Sequence, residues 1–173
     1  MLGYVFFHRR ASGSGIDEYE DALRRFHSAL AAAAPAGFQG STSYRIGGGY
    51  ADWYLVDDSA ALDALNAAAV GATALSRHDA VAQMSTDGAG KLFSLVSGQP
   101  SSRRGIETRF AKPRGVAYPD FYERLREWTE RPDVSLWRRM LVLGPGPEFC
   151  LISASEVELP ADVTPETLPR QPV

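Results

Sequence analysis

A chain of 173 residues, 45% apolar and 23% charged, has the composition of an ordinary globular protein, which argues against disorder in its body. Its formal charge of −3 offers phosphate backbones no general attraction, and no apolar run approaches the roughly 18 residues of a membrane-spanning helix, so neither nucleic acid nor membrane is an expected partner. Cys150 is the single cysteine, which leaves no intramolecular disulfide and no multi-cysteine metal site and fits a reducing compartment.

The opening apolar stretch is too short for a secretion signal, so a cytoplasmic location is expected. Arginine supplies almost all the basic charge, with Lys91 and Lys112 the only lysines, a usage typical of GC-rich bacterial genomes. Residues 4–8 are β-branched or aromatic and precede a Gly/Ser turn at 11–15, the pattern of a first strand. From Asp17, Tyr19, Ala22, Leu23, Phe26 and Leu30 recur at helical spacing, with acids in the first turn and Pro35 and Gly37 beyond the end. Residues 38–46 and 50–56 read as a hairpin across Gly47 to Gly49. Helical segments follow at 60–70 and about 78–84, with a break near Gly71, and residues 91–96 close this half as a strand.

That order, strand, helix, strand, strand, helix, strand, is the ferredoxin-like arrangement. After it come a strand at 106–111, a helix at 118–130, a strand at 136–143, a turn at 144–147 and a strand at 149–154, so the opening order recurs. The first helices correspond as well: Tyr19, Asp21, Leu23, Arg24 and Phe26 match Phe121, Glu123, Leu125, Arg126 and Trp128. The expected organisation is a first ferredoxin-like repeat at 1–98, a linker at 99–104, a shortened second repeat at 105–160 and a Pro-rich tail at 161–173. Residues 156–159 are a candidate edge strand.

This doubled order with aromatic-rich strands resembles the dimeric α/β-barrel superfamily in a fused tandem version, over residues 4 to about 155. The resemblance implies an α+β fold whose two sheets come together as a barrel. The superfamily includes monooxygenases without metal cofactors, haem-handling enzymes, isomerases and proteins of no known activity, so it does not by itself give a function. It implies a ligand site in the cleft between helices and sheet or inside the barrel. The second repeat departs from the pattern in lacking a clear second helix and fourth strand, which leaves closure with another chain open.

Alternate residues of a strand share a face. Tyr4, Phe6 and His8 lie together, as do Gln39, Ser41, Ser43 and Arg45, and as do Glu107 and Arg109, whereas Asp52 and Trp53 fall on opposite faces. A cavity combining His8, Arg45 and Arg109 would suit a small anionic or enolisable ligand, with arginine gripping a carboxylate and histidine moving a proton. His8 and His78 are accordingly the candidate catalytic residues, and Arg45, Trp53 and Arg109 the candidate ligand-binding residues. The plainer reading places the arginines in solvent or against carboxylates, His8 at a solvated strand end and His27 on the outer face of its helix. Trp53, with Tyr50 and Tyr54, stacks on a planar ligand in one reading and belongs to core or interface in the other.

Three histidines without ligand spacing predict no metal site, and Gly13-Ser14-Gly15 lacks the rest of a phosphate-binding motif. No cofactor is called for, although haem held through one histidine, or flavin, leaves no local motif and stays open. Two functions compete. One is a protein binding or transforming a small anionic or aromatic molecule without a metal. The other is a non-catalytic structural or regulatory module that forms a homo-oligomer.

Overall fold

A computed structural model describes residues 1–71, 75–101, 103–141 and 146–173. The chain forms two compact units, one of residues 1–92 with 172–173 and one of residues 93–171.

The first unit opens with β1 (Leu2–Arg10) and α1 (Ile16–Ala33). Asp17 and Glu18 stand at the positive end of α1, and Ala34 ends it in a left-handed conformation at φ 41° that returns its N–H to the Leu30 carbonyl. β2 (Phe38–Ile46) and β3 (Gly49–Val56) form the expected hairpin. Its turn needs positive φ at two successive positions, 56° and 76°, and Gly47 and Gly48 supply them without a Cβ clash. α2 (Ala61–Ala69) and α3 (Leu75–Gln83) follow, and β4 (Ser85–Gly98) begins here and continues into the second unit.

β3 pairs antiparallel with both β1 and β2, setting Asp52 opposite Phe6 on one side and Ser43 on the other. Directly opposed residues share a face, so Phe6, His8, Ser43, Arg45, Tyr50, Asp52 and Tyr54 lie on the side covered by α1. The buried stripe of α1, including Tyr19, Leu23, Phe26 and Leu30, packs over them. Val5, Ala51 and Trp53 are buried on the reverse face.

The second unit contains β5 (Gly105–Phe110), α4 (Tyr118–Arg124), α5 (Arg126–Thr129), β6 (Ser135–Arg139), β7 (Phe149–Ser153) and most of β8 (Glu166–Pro172). Phe110, Phe121, Leu125, Leu136, Phe149 and Leu151 make its apolar core on the helix side. The reverse face is charged: Glu107, Arg139 and Arg170 are buried, and Arg109 donates to Glu107 at 2.7 Å.

Strand order is β4-β1-β3-β2 in the first unit and β8-β5-β7-β6 in the second. The expected Pro-rich tail carries β8, paired with β5 from Gly105↔Arg170 to Arg109↔Glu166. Prolines 169 and 172 disguise it, because a residue without an N–H reads as a strand breaker. Residues 156–159 form no strand, and Val157 and Leu159 cover the apolar core instead. The expected helix at 118–130 divides at Leu125, where bonds to residues three apart tighten the turn. Residues 142–143 of the expected strand and 144–145 of the expected turn lie outside the described residues.

Candidate functional site

β3 reads Gly-Tyr-Ala-Asp-Trp-Tyr-Leu-Val, and strand alternation carries its one acid, Asp52, inward beneath α1 at 2% exposure. A buried carboxylate is costly unless charges and donors surround it. His8 from β1 brings Nε2 to 3.1 Å from one Asp52 oxygen, and His27 from α1 brings Nε2 to 3.6 Å from the other. Both nitrogens come close without completing aligned hydrogen bonds. Ser43 donates to Oδ1 at 2.5 Å and Tyr54 to Oδ2 at 3.4 Å. Burial alone would raise the carboxyl, but His27 and His8 together outweigh it and hold Asp52 well below the usual carboxylate range.

The network continues behind His8. Its Nδ1 lies 2.5 Å from the Tyr19 hydroxyl, which in turn lies 2.8 Å from Ser85 Oγ. Ser85 Oγ is also within 2.7 Å of the Val81 carbonyl, so its single proton serves one of two acceptors. Burial, opposed in part by Ser85, raises the Tyr19 phenol to about 12, so it remains a neutral donor at physiological pH. Burial likewise pushes Tyr54 far above the ordinary phenol value, aided by the Asp52 charge. Ring stacking of His8 on Tyr50 at 5.6 Å and His27 on Tyr54 at 5.3 Å fixes both imidazoles.

Beside this network, between the helices and the sheet, lies a cavity of about 650 Å3. Tyr4, Phe6, Phe26, Tyr54 and Leu65 provide much of its apolar wall, and Asp52 and Ser85 bring the polar network to its surface. Asp63 and His78 are its other ionisable lining residues besides the tyrosines, and no lysine or arginine lines it among the described residues.

The five residues singled out in the sequence separate. His8 is fully buried within the network and neither solvated nor itself on the cavity wall. His78 does line the cavity, with its ring against Phe26 and Nδ1 3.4 Å from Asp79. Arg45 is neutralised by a two-pronged bond to Glu20, whose carboxyl that bond lowers. Trp53 is buried on the reverse face of β3, away from Asp52. Arg109 belongs to the second unit and pairs with Glu107 and, at 3.8 Å, with Glu166. The expected grouping of His8, Arg45 and Arg109 on one anion therefore does not occur in the cavity wall.

Asp52, Tyr19, His27 and Ser85 escaped the sequence reading. His27 was expected outside, yet it falls eight residues after Tyr19, two helical turns on and so on the same buried face. A lone acid in an otherwise apolar strand was the signal for Asp52.

Haem requires an axial nitrogen and cationic or donor partners for its propionates, and a flavin's phosphate needs similar partners. Here both ring nitrogens of His8 and of His27 face Asp52, Tyr19 or Ser41, which leaves His78 as the one histidine on the described cavity wall, and that wall carries acids with no lysine or arginine among the described residues to meet a propionate or phosphate. These residues do not fit haem or flavin. Among the described residues, no group of three or more His, Cys, Asp or Glu side chains is arranged to hold a metal ion.

No family model matches the chain, and no curated protein matches it at a significant level. Among solved structures it is similar to one called a "putative chlorite dismutase", at 12% identity and TM-score 0.60, over 99% of this chain and 94% of that one. It is also similar to a "putative monooxygenase" from Lactobacillus acidophilus NCFM, at 10% identity and TM-score 0.61, over 99% and 93%. The likeness is of fold alone. It selects no family for this chain.

Proposed function

We propose that the protein binds, and acts on, a small uncharged aromatic molecule in the cavity between the helices and the sheet of its first unit. The observation that carries this reading is the cavity itself: aromatic and aliphatic walls, a volume of about 650 Å3, and one built polar corner at Asp52 and Ser85. An anionic ligand, the other half of the sequence expectation, is disfavoured because the lining holds Asp52 and Asp63 with no arginine or lysine among the described residues. The two solved relatives named for enzymes are consistent with a fold that encloses small molecules. The matching strand orders of the two units support reading the chain as two ferredoxin-like repeats, the second with β8 as its fourth strand.

The structural-module alternative has less support, since it gives no role to the cavity or to the polar residues that line it. Calorimetric titration with matched phenols, benzyl alcohols and benzoates tests the proposal. Neutral aromatics should bind and the carboxylates should not, and Ala69→Trp, which places an indole in the cavity, should abolish binding while the protein still melts cooperatively. Preferential binding of carboxylates, or undiminished binding by Ala69→Trp, would contradict it.

A further inference from the structure

Two residues of the polar network line the cavity, Asp52 at one end of the network and Ser85 at the other, and His8 and Tyr19 join them from behind. We propose that Ser85, Tyr19, His8 and Asp52 form a proton relay that removes a proton from a weakly acidic hydroxyl, phenolic or enolic, on the aromatic ligand. The inference rests on the binding reading above and adds to it an activity and a ligand class.

The assignment of roles follows from geometry. Asp52 has too little proton affinity to be the base, because the histidines and donors around it stabilise its charge. It is the counter-charge for His8, the part a carboxylate plays beside a catalytic imidazole. His8 is the base, but its side chain is fully buried and does not touch the cavity. Its remaining nitrogen, Nδ1, faces only the Tyr19 hydroxyl, so a proton from the cavity can reach it through that hydroxyl and Ser85.

The transfer balances atom by atom. Before it, neutral His8 carries its proton on Nε2 toward Asp52, Tyr19 donates to Nδ1, and Ser85 donates to the Tyr19 oxygen. A ligand hydroxyl within reach of Ser85 Oγ passes its proton there, the Ser85 proton moves to Tyr19, and the Tyr19 proton moves to Nδ1. The ligand is left as an oxyanion, His8 as an imidazolium against the Asp52 carboxylate, and both hydroxyls remain neutral. No oxidant or reductant enters the step. The positive charge created at His8 meets a carboxylate already in place, so little reorganisation is needed. Tyr19 and His8 act through Ser85 and do not touch the ligand, which makes them relay residues whose test must read a proton directly.

The probe is 4-nitrophenol, whose neutral and ionised forms absorb at different wavelengths. Equilibrium dialysis against the whole protein measures binding, and the spectrum of the bound fraction gives the probe's apparent pKa. Wild-type protein should bind the probe with an apparent pKa lowered by about one unit or more, roughly a tenfold change in the ionisation ratio. Tyr19→Phe keeps the ring and removes the hydroxyl, and Ser85→Ala interrupts the chain at the wall; either should return the bound probe's pKa to its value in solution. Ser85→Ala carries the test if Tyr19→Phe does not fold. An unchanged lowering in both variants overturns the relay while leaving the binding site intact. Loss of dialysis binding in both variants also overturns it, because a relay carries protons and not the binding energy. Failure of the wild-type protein to bind the probe would overturn the binding reading and the relay with it.

Discussion

At the residue scale, the centre of the first unit is a charge that could not stand alone. Asp52 is buried and ionised, and His8, His27, Ser43 and Tyr54 surround it. Removing one partner from a buried charge costs roughly 3 to 5 kcal/mol, since the remaining charge is left under-compensated. His8→Ala should therefore destabilise the protein by about that amount near neutral pH, whereas a histidine at a solvated strand end would leave stability almost unchanged. The sign of the pH dependence follows from the direction of the Asp52 shift. A carboxyl held below its ordinary value stabilises the fold above that value, about pH 4, and the stabilisation fades as pH falls further toward the folded-state value. Chemical denaturation of wild type and His8→Ala from pH 7 down to pH 3 should show the gap between them full at neutrality and narrowing below about pH 4. A gap that stays constant in acid would mean that Asp52 is not the charge His8 supports.

At the element scale, the two units solve the same packing problem with different materials. α1 lays Tyr19, Leu23, Phe26 and Leu30 on its sheet, and α4 with α5 lays Phe121 and Leu125 on theirs. The correspondence of Leu23 with Leu125, visible in the sequence, ends in two fully buried leucines. Leu23→Ala and Leu125→Ala should each cost roughly 2 to 5 kcal/mol in urea unfolding, the range for a leucine deletion that leaves a cavity. A loss below about 1 kcal/mol at either position would mean that side chain is not packed in a core. The helix faces differ in what lies beneath them. The first covers a polar network and a cavity, and the second covers a core of phenylalanines and leucines. The candidate site described above lies in the first unit.

At the scale of the whole molecule, the last eight residues matter more than their composition suggests. β8 hydrogen-bonds β5 along five residue pairs, and Arg170 within it is buried at 2% exposure. A chain truncated after Pro165 exposes the edge of β5. It should melt at a clearly lower temperature than the full chain when both are followed by circular dichroism. An unchanged melting curve would mean that β8 contributes nothing to the fold.

Periodicity and punctuation in the sequence were enough for the local structure. Residues 38–46 alternate, three glycines turn the chain, acids open α1, and these signals act over a few residues, so the first six elements could be read from left to right. The sequence also determined which residues of a strand share a face, and so placed His8 with Phe6 and separated Asp52 from Trp53. It could not show that Tyr19, Ser85 and Asp52, far apart along the chain, converge on His8. Nor could it show that Arg45 is neutralised by Glu20, that Arg109 belongs with Glu107, or that a proline-containing end completes a sheet. Those outcomes depend on strand register and on which helix covers which face. They arise from contacts between distant segments, whose energies exist only once the chain has folded, and no window of local sequence contains them.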